Sequence, residues 1–159
     1  MTDDGTDPIE RLYREQSPKL WRALFAWSSD PEVASDAVAE AFMQLLGRGG
    51  AVRAPQAWVW RSAFKIAGGI LKERHSTSGE ADMPDMIVTP VEADDDLLTA
   101  LAALTPMQRA SIVLHHYAGY RAGEVAAIVG STAPAVRVHL SVGRRRLRSL
   151  LSEEVHEDV

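Results

Sequence analysis

The chain has 159 residues, 46% of them apolar, no cysteine and a formal net charge of -5. Without cysteine it forms no disulfide, thiolate metal site or cysteine nucleophile, and no run of about 18 apolar residues offers a membrane span. The opening MTDDGTDP is acidic where a signal peptide is basic and then apolar, so the sequence predicts a cytoplasmic protein without membrane insertion.

Asp7-Pro8-Ile9-Glu10 combines a capping side chain, a proline at the first helical position and a glutamate at the third, so a helix is expected from Pro8. Ser17-Pro18 is expected to kink or break it before LWRALFAW. Asp30-Pro31-Glu32 repeats the start signal. The pairs Val33/Ala34, Ala37/Val38, Ala41/Phe42 and Leu45/Leu46 then recur every fourth residue until Gly47, the pattern of an amphipathic helix. After the loop GRGGAVRAP a third helix starts near Pro55, with Val59, Ala63, Ile66 and Ile70 on one side. Gly68 and Gly69 fall inside it and cost about 1 kcal/mol each relative to alanine, which predicts a helix that is short, kinked or stabilised only on a partner.

Residues 76–93 mix proline, glycine, serine and acids without a helical stripe and read as a flexible acidic linker. The acids at 94–96 then favour the N-terminus of a helix LLTALAAL. Thr105-Pro106-Met107-Gln108 is a capping box, followed by Met107, Ala110, Leu114 and Tyr117 at helical spacing up to Gly119. A shorter helix with Val125, Ile128 and Val129 ends at Gly130, and Thr132 caps the next, whose first turn holds Pro134. Two helices joined by Gly-Ser-Thr form a helix-turn-helix. In the last helix Val136, Leu140, Gly143, Leu147 and Leu150 make an inner stripe, and Pro134, Arg137, Ser141, Arg144, Arg145 and Arg148 lie opposite. A recognition helix of this kind reads base edges with its first turns and phosphates with its later ones. The same pattern also suits a solvated arginine face on a bundle helix. The expected fold is all-α, with two small helical domains at 7–75 and 94–151, the linker between them and an acidic tail at 152–159.

The net charge conceals a segregation. Residues 105–151 hold seven bases against the single acid Glu124, while residues 76–104 hold seven acids and no base. A local positive field of this kind is what attraction to phosphate needs. No HExxH, Walker glycine loop or GxSxG motif occurs, and the adjacent His115 and His116 point to different faces. The sequence therefore points to no catalytic residue, no metal and no cofactor.

In this order and spacing the segments resemble the bacterial RNA polymerase sigma factors of the extracytoplasmic-function group, over almost the whole chain. DPIERLYREQSPKLWRALFAW is similar to the family's opening helix and DPEVASDAVAEAFMQLL to its polymerase-binding helix. VRAPQAWVWRSAFKIAGGILKER is similar to the helix that opens and reads the downstream promoter element, and residues 104–151 to the domain that reads the upstream one. The resemblance implies core RNA polymerase and promoter DNA as partners, and leaves open an inhibitory anti-sigma factor. It implies that Asp36, Glu40 and Gln44 face the polymerase, and that Arg53, Trp58, Trp60, Arg61, Lys65 and Lys72 lie near the downstream element. Thr132, Pro134, Arg137, Val138, His139, Ser141, Arg144, Arg145 and Arg148 would lie near the upstream one. Trp58 and Trp60 also suit burial, and His139 borders the inner stripe. The chain departs from the family's usual residues at Ala39, Lys65, Gly69, Pro134, Val138 and His139, so a DNA preference does not transfer. A stand-alone helix-turn-helix regulator and a sigma-like adaptor without promoter activity are the alternative readings.

Overall fold

The computed structural model describes residues 5, 7–77 and 96–157. Their elements are all helical: α1 Pro8–Ser28, α2 Pro31–Arg48, a short 3-10 turn Gly49–Ala51, α3 Pro55–Thr77, α4 Asp96–Ala102, α5 Pro106–Ile112 running into a π-turn Val113–Tyr117, α6 Ala122–Val129 and α7 Ala133–Glu157. The expected linker lies outside the described residues except for 76 and 77, which end α3. Of the expected tail, residues 152–157 continue α7 and 158–159 lie outside.

Asp7 caps α1 by accepting the Ile9 N–H at 3.0 Å. Pro18 does not break this helix, contrary to expectation. Its ring is exposed, and Leu20, Ala23 and Leu24 just beyond it are fully buried, so packing outweighs the one backbone bond that proline forfeits. Ser29 leaves α1 in the left-handed region, its N–H returned to the Phe25 carbonyl. Along α2 the apolar pairs are buried as far as Leu45, whereas Leu46 is exposed. A four-residue step overshoots the 3.6-residue turn by about 40°. Three such steps carry Leu46 off the buried stripe.

Asp30 starts α2 by accepting the Glu32 and Val33 N–H groups at 2.9 and 3.2 Å, and its second carboxyl oxygen accepts from Arg74 at the far end of α3. Burial pushes this carboxyl up, but the Arg74 guanidinium and the two amides together hold it below the ordinary aspartate value. A depressed folded-state pKa contributes stability above the unfolded value of about 3.9, and this is lost as pH falls through the lower folded value. Asp30→Asn keeps the cap and loses the ion pair, so at pH 7 it should cost less than about 1 kcal/mol, and Asp30→Ala about 1 kcal/mol or more. Urea unfolding followed down to acid pH should show the wild type and the Asn variant converging, and a constant gap would refute the assignment.

α3 runs unbroken through Gly68 and Gly69, against the expectation of a short or kinked helix. Ile66, Ile70 and Leu71 pack against the core on both sides of the pair, Gly68 lies over the Trp27 indole, and Arg74 pins the end of the helix. Open space surrounds the Gly69 Cα. Gly69→Ala should therefore stabilise the protein by about 0.5–1 kcal/mol, read as a raised thermal midpoint; no change would mean that tertiary packing already holds the backbone.

In α5 the capping box forms as expected, with Thr105 Oγ1 accepting the Gln108 N–H and Gln108 Oε1 accepting the Thr105 N–H. Tyr117, expected on the inner stripe, is exposed. The π-turn, closed by the Ala118 N–H on the Val113 carbonyl at 3.1 Å, inserts an extra residue into the turn and rotates Tyr117 outward. Gly119, at φ 83°, and Gly130, at φ 71°, supply the left-handed backbone that ends these helices. α6 and α7 meet at 102°.

The two helical halves share one apolar core. α6 lies against α3, where Tyr120 meets the Trp60 ring edge to face at 5.4 Å. The end of α1 lies against α5. The Trp27 indole N–H donates to the Pro106 carbonyl at 3.2 Å, and the Arg109 guanidinium donates to the Trp27 carbonyl at 2.7 Å.

Candidate nucleic-acid interface

Thr132 starts α7 by accepting the Ala135 N–H on its hydroxyl at 3.3 Å and the Val136 N–H on its carbonyl. Val136, Leu140 and Gly143 are buried beneath the helix. Gly143 allows the closest approach, since a Cβ there would lie 3.3 Å from Ile112 Cγ1 of α5. With that face committed to the core, Thr132, Pro134, Arg137, Val138, Ser141, Arg145 and Arg148 are exposed, as the helical spacing predicts. His139 is half-buried beside the stripe.

Arg144 departs from the row. It is half-buried and turns back to the π-turn, 3.4 Å from His116 Nε2. Burial, His115 and Arg144 together lower the His116 pKa, which favours the neutral ring beside the guanidinium. Arg144 and Arg148 also border an apolar cleft of about 550 Å³ between α1, α4 and α7, floored by Leu98, Leu101 and Leu147, with Arg22 on the opposite rim.

A second cationic face lies on α3. Arg61, Lys65 and Lys72 are exposed within about 40° of one another on the helical wheel, and Arg53 is exposed in the preceding loop. Trp58 is half-buried beside them, with the Arg48 guanidinium 5.3 Å from its ring centroid. Trp60 does not join this face. It is 1% exposed, its N–H donates to Gln16 Oε1 at 2.9 Å, and Phe64 and Tyr120 cover its ring, so it has no surface to offer a base in this arrangement.

On α2, Asp36, Glu40 and Gln44 follow at four-residue steps along an exposed face, Gln44 donating to Glu40 at 3.1 Å. Met43, which sequence reasoning did not single out, is 65% exposed on the same helix, and Leu46 and Tyr13 are exposed as well. The position of Met43 outside the apolar pairs of α2 is the signal that marks it. Among the described residues no group of three or more histidine, aspartate or glutamate side chains could hold a metal ion. No single helix among them is long and apolar enough to cross a membrane.

Comparison with known proteins adds four likenesses. Residues 94–147 match the family model Sigma-70, region 4. The RNA polymerase sigma factor CarQ of Myxococcus xanthus is 25% identical, over 95% of this chain and 93% of its own length. The fold resembles that of the sigma factor RpoE from Bartonella quintana, crystallised with the anti-sigma factor NepR, with a TM-score of 0.78 at 20% identity over 92% of this chain and 98% of that one. It also resembles CnrH, solved with the cytosolic domain of CnrY, at a TM-score of 0.67 and 19% identity over 94% and 92% of the two chains.

Proposed function

We propose that the chain is an extracytoplasmic-function sigma factor, a non-enzymatic DNA-binding factor of transcription initiation, which binds core RNA polymerase, directs it to particular promoters and helps to separate the strands. In this reading residues 7–75 hold the polymerase through Asp36, Glu40 and Gln44 and meet the downstream element with Arg53, Arg61, Lys65 and Lys72, with Trp58 at the edge of that surface. Residues 94–151 read the upstream element through the exposed face of α7, and residues 76–93 join the two. The work is done in the cytoplasm, where polymerase and promoter meet. An inhibitory partner of the kind that NepR is to RpoE belongs to the same reading.

One observation carries it: α2, α3 and α7 each keep a polar face exposed, acidic on the first and cationic on the other two, while their opposite faces are committed to a shared core. Cations neutralise phosphate and release counterions. An acidic row on a helix that also exposes methionine and leucine suits a protein partner better than DNA. Reconstituted transcription with core polymerase is the test, with promoter-specific transcripts expected only when the chain is present. Binding of duplex DNA without polymerase and without transcripts would favour a stand-alone regulator, and binding of polymerase without initiation an adaptor.

The polymerase contact has its own test. Asp36→Lys with Glu40→Lys should weaken association with core polymerase at least about tenfold, since opposed charges in an interface become like charges, and should leave helicity intact because both side chains lie outside the core. Unchanged association would move the contact elsewhere.

A further inference from the structure

Inside the cationic face of α7 runs an apolar strip. Pro134, Val138 and Val142 follow at four-residue steps, and the core contacts of Val136, Leu140 and Gly143 turn them outward, leaving Val138 61% and Val142 40% exposed. Arg137 and Ser141 border the strip on one side and Arg145 continues it one turn further on, all three exposed. Positive charge along one side of an uncovered apolar strip and beyond its end matches a surface of phosphates next to an apolar feature.

We infer that this strip reads thymine. The inference rests on the proposal that α7 enters the upstream element, and it names what the helix recognises there. Thymine alone presents a methyl group in the major groove, whereas the other bases present only donors and acceptors. Valine has no atom to pair with those groups, so a guanine O6 or cytosine N4 beneath Val138 would lose water and gain no partner. A thymine there exchanges water for methyl-to-methyl contact. Discrimination therefore acts twice, by attraction to thymine and by rejection of the other edges. In a helix valine keeps essentially one χ1 rotamer, so the methyl groups are already placed before binding. Val138 and Val142 stand about 6 Å apart along the helix, against about 3.4 Å per base pair, so the two thymines fall one to two base-pair steps apart. Arg137, beside Val138, reaches the neighbouring edge and sets the register.

The test uses the full chain with core RNA polymerase and a duplex library randomised across the upstream element. Each thymine of the enriched duplex is then replaced by deoxyuridine, which removes only the C5 methyl. One or two positions should each lose about fourfold in affinity, the worth of one buried methyl. Val138→Ser should bind thymine and deoxyuridine alike at one of them, and Val142→Ser at the other. Both side chains are exposed, so neither change endangers folding. Enriched sequences without thymine dependence, or an unaltered thymine-to-deoxyuridine ratio in Val138→Ser, would overturn the inference. DNA reading by α7 would survive that result if Arg145→Ala still weakened binding to every sequence. Absence of both sequence enrichment and Arg145 dependence would overturn the inference and the underlying reading together. If Val138→Ser weakens polymerase association and leaves the ratio unchanged, the strip is a protein contact and the inference is wrong.

Discussion

Trp60→Ala is expected to lower folding stability by about 3–5 kcal/mol, the usual cost of deleting a buried tryptophan. The ring is enclosed by Phe64 of its own helix and by Tyr120 from the other half, and its N–H is bonded to Gln16 of α1. The truncation therefore opens a cavity at a place where α1, α3 and the approach to α6 meet. Trp60→Phe should cost less, because it keeps an aromatic partner for Tyr120 and loses only the indole bond and part of the volume. Urea unfolding followed by circular dichroism measures both. Had the indole faced unpaired bases, as the resemblance implied, the alanine variant would unfold like the wild type and fail only in promoter opening. Wild-type stability combined with that failure would refute the packing described for Trp60.

The positions of the helices were legible because start and stop signals are local. Asp7, Asp30, Thr105 and Thr132 each cap the helix their spacing announces, through bonds that span two or three residues. Departures arose where distant packing competes with a local rule. Pro18 is tolerated because Leu20 and Leu24 bury immediately after it, and Gly68 and Gly69 because Trp27 and Arg74 hold α3 on either side. Tyr117 moved because a π-turn shifts the register, which a 3.6-residue pattern cannot foresee. Of the outward row read on α7 only Arg144 departs, its partner His116 lying 28 positions earlier in the chain, while the exposure of Val142 was not read. Trp58 and Trp60 are two residues apart on one helix, and contacts from α1 and from Tyr120, distant in the chain, separate a half-exposed ring from a buried one.

Arg109 was invisible to the same reasoning, and removing it should produce the second large effect. It is 1% exposed, and its guanidinium donates to the carbonyls of Leu101, Ala102, Leu104 and Trp27, at 2.7 to 3.0 Å. Leu101 and Ala102 are the last residues of α4, and Trp27 is the last but one of α1. Carbonyls there lack helical partners and carry the negative end of the helix dipole, so one cation serves the C-termini of two helices from opposite halves. Burial lowers the guanidinium pKa to about 10, which still leaves it charged at neutral pH. Arg109→Met keeps the apolar stem and strands the Trp27, Ala102 and Leu104 carbonyls, while that of Leu101 still accepts the Leu104 N–H; each buried unpaired group costs about 1–3 kcal/mol, and relief from burying the charge offsets part of the loss. A net loss of about 2–4 kcal/mol is expected on that balance. Lysine should restore little of it, because one ammonium cannot reproduce the planar fork that reaches both helix ends. All four tryptophans precede Arg109 in the chain, and Trp27 and Trp60 touch the junction, so tryptophan fluorescence during urea unfolding reports directly on its loosening. The Met variant should show an earlier fluorescence transition than the wild type, and coincident curves would show that packing around Trp60 and Tyr120 holds the halves together without the guanidinium.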